Sequence, residues 1–204
     1  MTCFLTRPPA VEPVSLAEAK AHLRLDGSDE DGLVARLIAA ARTHVEGRTS
    51  RALVDQGWRC VLDRWPARRD VWLRPAPVTA VTAVTVYDAN GDGRVLAADE
   101  YSVDTASAPA RLRPAAGRSW ICGDGAWTAV AGGPADPGSP LNGIEIDFDA
   151  GYGPDDVPAP LVQAVMMLVA HWHEHREAAA VGAVAAPVAI GLECLISPYR
   201  VARL

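Results

Sequence analysis

Ile144-Glu-Ile-Asp-Phe148, Ala150-Gly-Tyr-Gly153 and Val157-Pro-Ala-Pro-Leu-Val-Gln-Ala-Val-Met-Met-Leu-Val-Ala-His-Trp-His-Glu-His175 carry the chain from one periodicity to another. The first run alternates apolar and charged residues, the pattern of a half-buried strand. The last is entered through prolines, which a first helical turn tolerates. It then sets Leu161, Val165, Leu168 and Trp172 on one stripe at helical spacing. A strand that turns on glycines straight into an apolar helix needs both a sheet and a helical layer.

Ser15-Leu-Ala-Glu18 is a capping box that opens a short helix, with Leu16, Ala19 and Leu23 at helical spacing and an end near Leu25. An acid-rich loop, Asp26 to Asp31, leads to a second helix from about Glu30 to Arg48, whose apolar stripe reads Leu33, Leu37, Ala40, Ala41, His44 and Val45. Period two then takes over. Trp58–Leu62 and Val71–Leu73 alternate weakly, and Val78–Tyr87 is the strongest strand signal, rich in β-branched residues. Short strands are expected near Val95-Leu96 and Tyr101–Val103. Residues 105–142, crowded with Gly, Pro and Ala, read as long loops with one or two short strands. The third helix is expected to run to about Ala179. Ala178–Pro187 then reads as a low-complexity tether, and Val188–Leu204 as an apolar tail.

The expected architecture is α+β: a helical body of three main helices, an inserted antiparallel β part and a C-terminal arm. Its divisions are 1–56 (helical), 57–150 (β insertion with long loops), 151–180 (C-terminal helix of the body) and 181–204 (tether and docking arm). The length of 204 residues suits one domain with an insertion, and half the residues are hydrophobic, enough for a sizeable core. A net charge of -6 excludes a general nucleic-acid or anionic-membrane binder. Cys3, Cys60, Cys122 and Cys194 are scattered and form no CxxC pair, so they read as reduced packing residues of a cytosolic protein. The N-terminus lacks a signal-peptide pattern. Leu161–Ala170, the longest apolar run, is about half a membrane span. A soluble intracellular protein is expected.

Three constellations imitate chemistry. His171, His173 and His175 sit at i, i+2 and i+4, so on a helix only the first and last share a side, and the HExxH order of zinc proteases is absent. A metal-dependent hydrolase using His171 and His175 is the alternative they leave. Asp88-Ala-Asn90-Gly-Asp92-Gly93 through Asp99 imitates a calcium loop, but Asp99 stands where a bidentate Glu belongs, and a strand rather than a helix precedes it. Asn-Gly and Asp-Gly are hairpin-turn dipeptides, so a hairpin tip is expected, with a calcium-binding module as the alternative. Arg64, Arg68, Arg69 and Arg74, interleaved with Trp65 and Trp72, read as a solvated sheet face diluted by Asp63 and Asp70. No nucleophile elbow or phosphate loop is present. No catalytic residue, metal or cofactor is expected.

The third helix has a second apolar side, Val162, Met166 and Val169, with His173 beside it. A helix apolar nearly all round is buried on two sides, and another subunit fits as the second partner. The tail, with Leu192, Leu195, Ile196, Tyr199, Val201 and Leu204, suits docking onto a partner, or folding back onto its own domain.

Several segments in this order resemble the head–tail connector (adaptor) proteins of long-tailed phages, and in style the adaptor of gene transfer agents. They are Val14–Leu25 with the Asp-rich turn, Leu33–Val45, Gln56-Gly-Trp58, Leu62-Asp-Arg-Trp65-Pro, Ala150-Gly-Tyr-Gly153 with Val157-Pro, Trp172 with Arg176-Glu177, and Pro198-Tyr-Arg200. The resemblance implies a non-enzymatic ring, commonly of twelve copies, seated beneath a portal and receiving a stopper or tail-terminator protein on its other face. DNA would pass through the lumen without specific binding, and an acidic wall suits that passage. It further implies that Pro198, Tyr199, Arg200, Arg203 and Leu204 form the portal-docking end. Assembly would take place in the bacterial cytoplasm, and the finished chain would sit in the neck of a phage-like particle.

Overall fold

A computed structural model of the chain describes residues 1–66, 70–88, 90–116, 141–175 and 186–201. It divides into two compact units, one of strands (Met1–Pro8 and Gln56–Gly151) and one of helices (Pro9–Asp55 and Tyr152–Leu204). The class is α+β.

The strand unit holds β1 (Thr2–Arg7), β2 (Gln56–Leu62), β3 (Val71–Leu73), β4 (Val78–Tyr87), β5 (Gly93–Val95), β6 (Tyr101–Asp104), β7 (Ala110–Pro114) and β8 (Ile144–Ala150). A five-stranded sheet runs β1-β2-β8-β4-β5 and a three-stranded one β3-β7-β6, with every pairing antiparallel. The register explains the alternation of β8. Cys60, Ile146 and Val84 lie side by side, as do Leu62, Ile144 and Val86, and all six are buried. On the opposite face Arg59 pairs with Asp147 at 2.6 Å and Glu145 at 3.0 Å, and Arg7 pairs with Asp149 at 2.8 Å.

Two expectations fail in this unit. The first residues, placed with the helical body in the sequence reading, form the edge strand β1 and cluster with the sheet. Phe4 and Leu5 are 46% and 43% exposed on successive positions, so β1 has no alternation to betray it. It is held by backbone pairing to β2, where Gly57 lets it approach: a Cβ there would sit 2.9 Å from Cβ of Arg7. The cysteines, read as reduced, also differ. Cys3 and Cys60 face each other across β1 and β2 and are joined as a disulfide; Cys194 is free and exposed, and Cys122 lies outside the described residues.

The helical unit holds α1 (Leu16–Leu23), α2 (Asp31–Thr49), α3 (Ala159–Glu174), α4 (Ala186–Ile196) and a 3-10 turn at Ser197–Tyr199. The capping box forms as read, with Ser15 Oγ accepting from the Glu18 amide and the Glu18 carboxylate accepting from the Ser15 amide. On α2 the buried stripe is Val34, Ile38, Ala41, Val45 and Thr49, one row round from the expected one, and Ala40 and His44 are exposed. Leu33 and Leu37 are half-buried, which made the neighbouring row look equally apolar. On α3 the buried residues are Leu161, Ala164, Val165, Leu168 and Val169. α3 ends at Glu174, short of the expected end near Ala179; residues 176–185 lie outside the described residues, and Ala186 and Pro187, read as the end of a tether, open α4.

Of the two readings of the tail, the structure takes the folded-back one as far as Val201. Leu192 and Ile196 of α4 belong to one core cluster with Val45, Leu161 and Val169, and Leu195 and Tyr199 pack against it. The Val201 amide donates to the Thr49 carbonyl at 2.9 Å, which satisfies a group left over at the end of α2.

Candidate functional site

The docking residues read from the sequence stand at the C-terminal end of the helical unit. Pro198 and Arg200 are exposed and Tyr199 is half-buried; Arg203 and Leu204 lie outside the described residues. Three side chains that the sequence reading did not single out hold this end together. Arg51 donates through Nε to the Tyr199 carbonyl at 2.6 Å and through Nη1 to the Tyr152 hydroxyl at 2.9 Å, and its guanidinium stands 6.0 Å from the Tyr199 ring centroid. Arg48 and Arg200 both donate to the Glu193 carboxylate. The Arg48 hydrogen bond and the two guanidinium charges hold the Glu193 carboxyl below its ordinary value.

Local sequence explains how these groups meet. Ser50 closes α2 in the left-handed region at φ 56°, turning the chain so that Arg48 and Arg51 flank the cap. Glu193 lies on α4 one residue after the buried Leu192, and so faces outward. Pro198 is the second residue of the 3-10 turn that leads Tyr199 and Arg200 back toward the end of α2. The sequence offered no local signal for the Arg48–Glu193 pair, whose members are 145 residues apart.

The proposed subunit-interface residues of α3 fare unevenly. Val162 and Met166 are half-buried against the unit's own core. Val169 is 0% exposed within that core, so its assignment to another subunit is corrected: its own unit covers it. His173 turns its Nε2 to Glu30 at 2.7 Å. His171 and His175 stack with centroids 4.6 Å apart, and Nδ1 of His175 donates to the His171 carbonyl at 3.1 Å.

Within the Asp88–Asp99 segment, Asp88, Asn90 and Asp92 lie at the turn of the β4–β5 hairpin, and Gly93–Val95 is β5 itself. Oδ1 of Asp88 accepts from the amides of Asn90 and Asp92, both at 2.9 Å, as a turn-forming aspartate does. Of the arginine patch, Arg68 and Arg69 lie outside the described residues, while Trp65 is buried and Trp72 sits 5.7 Å from the Arg111 guanidinium. Among the described residues no group of three or more His, Cys, Asp and Glu side chains is placed to hold a metal ion, and no helix is long and apolar enough to cross a membrane.

Comparison with known proteins follows the same line. A family model described as phage gp6-like head-tail connector protein matches residues 13–107. No curated protein sequence matches. Among solved structures, a chain from the virion of the native gene transfer agent particle is 30% identical with a TM-score of 0.75, over 100% of this chain and 97% of that one. A chain from the neck of the empty particle, computed with C6 symmetry, gives 28% and 0.74 over 100% and 97%. One from the neck of the native particle, computed with C12 symmetry, gives 30% and 0.69 over 98% and 97%. The chain belongs to the gp6-like head–tail connector family.

Proposed function

We propose that the chain is the head–tail adaptor of a phage-like particle of the gene transfer agent kind, a structural part whose copies close into a ring in the particle's neck. The observation that carries this is likeness along the whole chain to chains from neck and virion particles, at 28% and 30% identity. The neck particles were computed with C6 and C12 symmetry, which supports a ring of twelve copies related head to tail. The ring joins the portal on one side to a stopper or tail-terminator protein on the other, and its work is mechanical and not catalytic. DNA passes through a lumen that does not grip it, in keeping with a net charge of -6.

The C-terminal end around Pro198, Tyr199 and Arg200, continuing to Arg203 and Leu204, is the portal-docking end. Pro198 and Arg200 are exposed and follow directly on α4, a geometry suited to presenting a small rigid surface. Assembly takes place in the bacterial cytoplasm, and the mature position is the neck. The test is to mix the full chain with its portal protein and image the product. A closed ring on the portal is expected, lost on Tyr199→Ala with the fold intact by circular dichroism; rings that dock equally well with this change defeat the assignment of the docking end.

A further inference from the structure

We infer that the docking end of the helical unit is built for an acidic protein surface, recognised by Arg48, Arg51 and Arg200 acting together. This rests on the docking reading above and adds the chemistry of the partner. The chain is acidic, yet at this end Arg48 and Arg200 share the Glu193 carboxylate, and Arg51 stands beside Tyr199. Arg51 spends its bonds on two neutral oxygens, so its charge is not cancelled there. A guanidinium carries five N–H donors. Among the described residues Arg48 and Arg200 each commit one to Glu193, and their side chains stand 50% and 41% exposed.

Glu193 shows that a carboxylate is the group Arg48 and Arg200 accommodate. A planar fork is matched to carboxylate geometry, and Arg beside Tyr is the usual composition of an interface anchor. Tyr199 supplies that neighbour, half-buried next to Arg51. Phosphate would satisfy the same forks. A chain of net charge -6, however, raises no long-range field to hold a polyanion, whereas a local patch can still meet a local acidic one.

The experiment measures binding of the full chain to the portal ring across a range of ionic strength. Charge reversal by Arg48→Glu and Arg200→Glu, or the milder Arg→Gln pair, is expected to weaken binding about tenfold or more and to flatten its salt dependence. Glu193→Gln is expected to tighten binding roughly two- to fivefold, because it removes the internal competitor for the same donors. A network that served only to hold the fold would lose affinity on that change. Melting temperature is followed for every variant, so that loss of fold is separated from loss of contact. Unchanged affinity in the reversed variants, with Tyr199→Ala still abolishing docking, overturns the acidic-surface inference and leaves the docking reading standing. Unchanged affinity in both sets removes the docking reading as well. Binding of duplex DNA that disappears on charge reversal, and that displaces the portal, would reassign the patch to DNA and also overturn the proposal.

Discussion

Ile196→Ala tests whether α4 is part of the folded unit or an arm that can be detached. Ile196 is 0% exposed and lies in the core cluster that also contains Val45, Leu161 and Val169. The substitution removes three methylene-sized groups, costing about 2.4 kcal/mol at about 0.8 kcal/mol each. A residual cavity of roughly 60 Å³ adds roughly 1.4 kcal/mol at about 24 cal/mol per Å³. The sum, about 4 kcal/mol, is a large share of the ~5–15 kcal/mol that stabilises a typical domain. With a urea slope near 2 kcal/mol per M, the helical transition should move down by about 2 M.

The assay is urea unfolding followed by far-UV circular dichroism, with Cys194→Ala as control. Cys194 lies on the same helix but is exposed, and should change stability by less than about 0.5 kcal/mol. A loss below about 1 kcal/mol for Ile196→Ala would refute the placement of α4 in the core, because a fully buried Ile in a packed interior does not come that cheaply. For the same reason, removing residues 188–204 should unfold the helical unit; a dispensable arm could begin only beyond Val201, which is itself buried.

Gly57→Ala should loosen β1, because the new Cβ would meet Cβ of Arg7 at 2.9 Å and Oγ1 of Thr6 at 3.2 Å; a loss of about 1–3 kcal/mol is expected, seen as faster amide exchange in Thr2–Arg7. Ser50→Gly should raise stability by about 1 kcal/mol in thermal unfolding, since φ at this α2 cap is 56° and a Cβ is strained there. Asp104 is held down to about 2 from 3.8 by the Ser107 hydroxyl first and then by Arg111. Its folded value is depressed, so its contribution is present above pH 3.8 and is lost as pH falls toward 2. A carboxyl NMR titration checks this, and Ser107→Ala should move the midpoint upward; an unmoved midpoint would assign the shift to Arg111 alone.

Much of the fold was legible because its signals are local. Val78–Tyr87 forms a strand over the whole run that its β-branched alternation marked, and Ser15 with Glu18 forms the cap that their spacing requires. Ile144–Phe148 alternates because only one face of β8 is buried. Failures fall where burial and pattern part company. β1 exposes both Phe4 and Leu5, so nothing in its residues marks a face. α2 carries apolar residues over a wide arc, and a stripe chosen one row off looks as good until α3 and α4 pack against it. The site was legible only in part. Tyr199 and Arg200 came from the resemblance, whereas Arg48, Arg51 and Tyr152 enter through contacts 101 to 148 residues apart that no periodicity records. Cys3 and Cys60, 57 residues apart, are joined by register for the same reason.

The energetics of the C-terminal end explain how it can be both anchored and available. Ile196, Leu192 and Val201 hold it through buried apolar contacts, and burying side chains of this size is worth about 1.5–3 kcal/mol each. The charged contacts at its surface are of another kind. Arg48, Glu193 and Arg200 are all more than a third exposed, and pairs of that kind are worth about 0–1 kcal/mol. A partner carboxylate can therefore exchange with Glu193 at little cost to the fold, while α4 stays seated. Had the recognition relied on Leu192, Ile196 and Val201 themselves, docking would have had to compete with folding. Here the apolar side of α4 faces inward and its one acid faces outward, so the surface can change partners without the unit losing its core.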